Sequence, residues 1–73
     1  MENKGYRNHP ITIVIEGKIY SLRQKLFHAT SGNEYEIKEI QAKGFMTELS
    51  NSPIRELIGT RAYLPYAKIQ EYR

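Results

Sequence analysis

The 73-residue chain contains no cysteine, no tryptophan and no aspartate. The first absence excludes disulfides and any zinc site built on thiolates. The third removes the short carboxylate favoured in chelating clusters and paired-carboxylate sites, since every acidic residue is a glutamate. Only His9 and His28 supply imidazoles, and they stand far apart, without ligand-type spacing. The glycines are dispersed, so no phosphate-cradling loop is present. Ser21, Ser31, Ser50 and Ser52 sit where caps and turns use a hydroxyl. From this inventory no enzymatic activity, no catalytic residue, no metal site and no cofactor is expected. No apolar run approaches the roughly 20 residues that span a bilayer. The five-residue run Ile11–Ile15 is also too short for the core of a secretory signal. The expectation is a soluble cytoplasmic protein, without membrane contact, that begins at its own Met1.

What is present points to strands. A chain this short makes at most one domain and buries only about 60% of the surface its unfolded form exposes. Residues 1–10 are polar, include Gly5 and Pro10, and show no apolar period. A flexible N-terminal arm is expected there, with His9 exposed in it. Residues 11–73 are expected to form the single domain. Ile11-Thr12-Ile13-Val14-Ile15 is β-branched throughout and predicts a strand. Glu16-Gly17-Lys18 is a turn, and Ile19–Leu22 resumes strand character, so residues 11–23 read as a hairpin. Ser21 to Ala29 supports two readings. Ser21-Leu22-Arg23-Gln24 has the form of a capping box followed by helical spacing at Leu22, Lys25, Leu26 and Ala29. Tyr20, Leu22 and Gln24 also continue a strand, after which Leu26-Phe27 cross the mouth of a barrel, a strand-plus-loop reading.

The strongest pattern is Glu34–Leu49. Tyr35 and Ile37 alternate with Glu36 and Lys38, and Phe45, Thr47 and Leu49 alternate with Met46 and Glu48. Gln41-Ala42-Lys43-Gly44 interrupts them as a hairpin turn in which Gly44 supplies a positive φ. Ser52 as N-cap, Pro53 at the first helical position and Gly59 as a stop predict a short helix with Ile54, Leu57 and Ile58 on its apolar face. Thr60–Leu64 is a last strand ended by Pro65. Ala67–Tyr72 is a tight turn or a closing strand. Five or six short strands with turns between them argue for a mainly β fold, a small barrel with one or two short helices.

The run Glu34–Ile40, then Gly44-Phe45-Met46, then Ala62-Tyr63-Leu64-Pro65 and Ile69 resembles the latter strands of SH3-like barrels. The resemblance covers residues 34–72. It implies a strand before a Gly-aromatic strand, then a Pro-containing segment leading through a 3-10 turn into a closing strand. It does not carry the polyproline ligand. Phe45-Met46 stand where the family has tryptophan, Ala67-Lys68 where it has Asn-Tyr, and no acidic loop precedes Glu34. Separately, Gly59–Pro65 is similar to the wing of small winged-helix excisionases. That would make the fold α+β and bring Arg61 to a phosphate backbone.

Tyrosine is the informative residue type, with six in the chain. Tyr35 and Tyr63 are expected in the core or at its edge, Tyr66 on the surface beside Pro65, and Tyr72 against Ile11 or Ile13. Lys43, Phe45, Arg61, Tyr66 and Lys68 are the expected partner-binding residues, on one barrel face. Aromatics among cations suit a protein-binding hot spot and also base stacking with phosphate contact. The leading expectation is a small non-enzymatic protein that binds and regulates or inhibits a protein partner, of the kind found in bacteriophages and mobile elements. The alternative is a nucleic-acid-binding domain, favoured by a net charge of +3, a pI of about 9.3 and a basic first half. Against that alternative, the two signs balance from Glu34 onward. Edge-to-edge self-association is a third reading.

Overall fold

The computed structural model of the protein describes residues 11–73. The flexible arm expected over residues 1–10, and His9 within it, lie outside the described residues. Six strands occur in chain order: β1 (Thr12–Ile15), β2 (Lys18–Ser21), β3 (Lys25–His28), β4 (Asn33–Ile40), β5 (Gly44–Asn51) and β6 (Arg61–Pro65). Two 3-10 turns, Arg55–Leu57 and Tyr66–Glu71, follow β5 and β6. The strands form two antiparallel sheets, a β1–β2 hairpin and a four-stranded β3–β4–β5–β6 sheet. The fold is therefore mainly β. No α-helix occurs among the described residues, which overturns the winged-helix alternative.

The barrel does not close. After β6 comes the Tyr66–Glu71 3-10 turn, and Tyr72 and Arg73 then reach back. They pair with β3 through a single bridge, His28 to Tyr72, and through reciprocal backbone bonds between Phe27 and Arg73 of 2.6 and 2.8 Å. His28 secures this return. Its ring lies 4.8 Å from that of Tyr72, and its Nδ1 is 2.9 Å from the Ser31 hydroxyl. Tyr72 packs edge-on against Tyr35 at 5.5 Å, so its aromatic neighbours are His28 and Tyr35.

The core lies on the inner face of the four-stranded sheet. Leu26, Tyr35, Ile37, Phe45, Leu49 and Leu64 are buried there, with Tyr20 and Ile69 closing it from the hairpin and the second 3-10 turn. The alternation in β4 and β5 therefore predicts the buried face correctly. It holds through a β-bulge. Ile37 pairs with Thr47 and Glu39 with Met46, so Lys38 is the extra residue. The bulge lets Ile37 and Ile40, three apart, share one face.

Between β2 and β3 the strand-plus-loop reading is the correct one: β2 ends at Ser21, residues 22–24 turn the chain, and β3 starts at Lys25. Gln24 does reach back as in a capping box, its Oε1 accepting the Ser21 N–H at 2.9 Å. Yet Arg23 has φ 72°, a left-handed value no helix contains, and a turn results. The helix expected after Pro53 shrinks to the Arg55–Leu57 3-10 turn. The buried Ser52 hydroxyl does accept the Ile54 N–H at 3.1 Å, but it also donates to Asn33 Oδ1 at 2.6 Å, which ties the segment to β4. Ile54 and Ile58 are left exposed, so an apolar face is missing to hold a longer helix.

Gly44 is needed for a different reason from the one expected. Its φ is not positive. A Cβ at this position would sit 2.5 Å from the Tyr63 ring and 2.7 Å from the Leu64 carbonyl oxygen. Glycine is there because β6 and the Tyr63 ring come too close for any side chain.

Candidate functional site

Strand parity sorts the expected binding residues into groups that do not meet. In the β5–β6 ladder, Phe45 pairs with Leu64, Thr47 with Ala62 and Glu48 with Arg61. Phe45 and Thr47 point inward and are fully buried. Phe45 is therefore a core residue and leaves the proposed binding set. It packs between Tyr20, at 5.5 Å, and Tyr66, at 5.0 Å and edge-on. Tyr66 is half-buried on top of it, and the Tyr66 hydroxyl donates to the Gln41 carbonyl. Burial, more than the nearby Tyr63, pushes the Tyr66 hydroxyl pKa upward. Lys43 is exposed beside Tyr66, since the Tyr66 N–H donates to the Lys43 carbonyl at 2.9 Å. Lys68 is exposed on the following 3-10 turn. Arg61 begins the other end of β6, about 13 Å from Pro65 at the usual strand rise. The five residues expected on one face are thus one core residue, a turn-end group of Lys43, Tyr66 and Lys68, and Arg61 apart.

Arg61 belongs to the outer face of the sheet. The cross-strand row there runs Lys25, Glu36, Glu48, Arg61, by direct pairing. Glu36 and Glu48 face each other, a like-charge contact that would oppose pairing. The bulged Lys38 relieves it, with Nζ 3.6 Å from Glu36 Oε2 and 4.0 Å from Glu48 Oε1. The exposed pairs contribute little stability each. They set a fixed pattern of charge, positive at both margins and negative in the middle.

The residue that parity adds is Tyr63. Expected in the core or at its edge, it pairs with Met46 on the outer face and stays 44% exposed. Its position follows from the period of two: Ala62 and Leu64 take the inward positions, so Tyr63 must face out. Its ring lies across Gly44, covering backbone that a glycine leaves bare. The alternation Arg61, Tyr63, Pro65 against Ala62, Leu64 was available in the sequence to find it. A shallow depression of about 360 Å³ adjoins this patch, between Lys38, Met46 and Arg61. A second, of about 270 Å³, separates the hairpin from the C-terminal residues Tyr72 and Arg73. There Lys18 Nζ stands 5.4 Å from the centre of the Tyr20 ring.

Among the described residues, no group of three histidine, cysteine, aspartate or glutamate side chains is placed to hold a metal ion. No helix there is long and apolar enough to cross a membrane. Compared with known families, curated proteins and solved structures, the chain matches none.

Proposed function

We propose that the protein is a small non-enzymatic interaction module that binds a protein partner in the cytoplasm and regulates or inhibits it. The observation that supports this most is the outer face of β5–β6. There a rigidly backed Tyr63 and a half-buried Met46 form an apolar centre, flanked by Arg61, Lys38 and Glu48. Tyrosine and arginine are the residue types that dominate binding hot spots, and a ring that already rests against Gly44 loses less side-chain freedom on contact. The order β4–β5–β6, the 3-10 turn after Pro65 and the return to β3 support the likeness to SH3-like barrels. The test is capture from bacterial lysate on immobilised protein, with Arg61→Glu and Tyr63→Ser beside the wild type and Ile54→Ser as a control surface change. The reading expects one partner retained by the wild type and the control and lost with both face variants. Equal retention by all four would sink it.

A nucleic-acid reading has one observation in its favour. Lys43, Arg61 and Lys68 make no ion pair among the described residues. The central carboxylates Glu36 and Glu48 weigh against it on the outer face. Fluorescence anisotropy with labelled DNA and RNA decides, because phosphate contacts predict affinity falling steeply with salt.

A further inference from the structure

The hairpin carries a feature that the proposed binding face does not use. Its two-residue turn has positive φ at both Glu16 (51°) and Gly17 (82°), the requirement of a tight hairpin loop. The Leu22 N–H donates to the Ile11 carbonyl at 2.9 Å, which fixes the phase of the ladder. Ile11, Ile13 and Ile15 therefore direct their backbone groups at β2. Thr12 and Val14 direct theirs away, along the outer edge of β1. No strand among the described residues pairs with that edge.

The other open edges are partly blunted or carry charge. On β2, the outward Ser21 N–H is bonded to Gln24 Oε1, and the Ser21 carbonyl accepts the Gln24 N–H at 3.2 Å. On β6, the bonds from Leu49 N–H to the Thr60 carbonyl and from Tyr66 N–H to the Lys43 carbonyl leave Arg61, Tyr63 and Pro65 outward. Pro65 has no N–H to offer. On β3, Arg73 occupies the edge. Among the described residues, the β1 edge alone combines unbonded donors and acceptors with an uncharged β-branched strand. Its flank is apolar too: Val14 and Ile19 are cross-strand partners, 62% and 66% exposed. An uncharged, unblunted strand edge is a site for pairing with another chain.

We propose that this edge pairs with the same edge of a second copy, antiparallel, about a two-fold axis at Ile13. In that register Thr12 lies opposite Val14 of the second copy, and each N–H meets a carbonyl. Ile13 meets Ile13 of the second copy, and Ile11 meets Ile15, so no like charges face each other. The neighbouring registers fail. One requires an N–H from Pro10, which has none, and the other requires extended backbone at Glu16, which sits in the turn. The product is a continuous β2–β1–β1–β2 sheet in which the Val14–Ile19 pairs of the two copies sit diagonally across the junction. A second copy is favoured over an unrelated strand because the pairing is self-complementary at every position.

Sedimentation equilibrium of the full chain over a micromolar to millimolar range reads the mass. The expected result is a dimer at the upper end, and a dissociation constant raised about tenfold or more by Val14→Pro. This change deletes an outward N–H and leaves the β1–β2 ladder intact. Circular dichroism verifies that the variant folds. The chain has no cysteine, so Ile13→Cys provides a second reading. Its two thiols lie in a directly opposed, non-hydrogen-bonded pair, a geometry that admits a disulfide. Ile13→Cys is expected to oxidise to a covalent dimer much faster than Val14→Cys, whose own copies are diagonal. A monomer at all concentrations, or a dimer indifferent to Val14→Pro, overturns the proposal. So does a dimer that appears only when residues 1–10 are removed, which would make that segment the occupant of the edge.

Discussion

The four-stranded sheet and the β1–β2 hairpin are both rich in β-branched and aromatic residues, and their fates differ. In the sheet the centre of one face is enclosed: Leu26, Ile37, Phe45 and Thr47 have no exposed surface. In the hairpin only Tyr20 is buried, while Val14, Ile19 and Ile11 stand in water. The hairpin also makes only sparse contact with the sheet. A two-stranded ribbon is marginal by itself in water. It persists here because Ile13, Ile15 and Tyr20 rest on the core of the larger sheet. The comparison teaches that β propensity forms a strand, whereas alternation with polar residues decides how deeply it is buried. The sheet is the rigid platform of the molecule, and the hairpin is the part held by fewer contacts.

The largest way to break this contrast is in the core. Phe45→Ala is expected to cost about 3–5 kcal/mol. That is comparable to the whole stability of a domain this size, at ~0.05–0.15 kcal/mol per residue. Urea denaturation should show a largely unfolded chain. Gly44→Ala comes next, at about 1–3 kcal/mol, from overpacking against Tyr63 and the Leu64 carbonyl. Adding Tyr63→Ala to that variant should restore only part of the loss, because the carbonyl contact remains. A full restoration would show that the ring alone demands glycine. Thr47→Val, which removes the buried hydroxyl bond to the Ala62 carbonyl at 2.7 Å, should cost about 1 kcal/mol by the same measurement.

Two further predictions sharpen the contrast. Burial raises the hydroxyl pKa of Tyr20, Tyr66 and Tyr72 above the ordinary 10.0. A raised folded-state value means the neutral hydroxyl is favoured by folding. Its stabilisation is complete below pH 10 and is lost as pH climbs through the folded values. Alkaline titration by circular dichroism should show unfolding setting in above pH 10, and Tyr20→Phe should move it to higher pH. The smallest expected effect is Val14→Ser, within about 0.5 kcal/mol in urea, because the side chain already faces water. A large loss there would mean the hairpin's outer face is covered.

Legibility in the sequence follows the same division. In β4 and β5, glutamates and lysines alternate with Tyr35, Ile37, Phe45, Thr47 and Leu49, and the buried face can be read directly. Ile11–Ile15 has no polar alternation, so its strand is legible and its exposed side is not. Ser21–Gln24 uses the chemistry of a helix cap to make a turn, and only the left-handed Arg23 separates the two. Phe45 entered the binding set as an aromatic among cations, although its alternation with Met46 and Glu48 placed it inside. Tyr63 was missed for the converse reason, its neighbours Ala62 and Leu64 being small signals beside an aromatic ring. The bulge at Lys38, which brings its ammonium between Glu36 and Glu48, depends on β5 and could not be seen in β4 alone. Nor could the blunted edges, which arise from side chains and a proline meeting strands after folding.

The most direct test of the central contrast is residue-resolved amide hydrogen exchange by nuclear magnetic resonance. The account predicts that Ile37, Thr47 and Leu49 exchange only through global unfolding, while hairpin amides such as Ile13 and Tyr20 exchange through smaller, local openings. Protection of the hairpin equal to that of β4 and β5, in dilute protein, would contradict it and make the molecule one cooperative unit throughout.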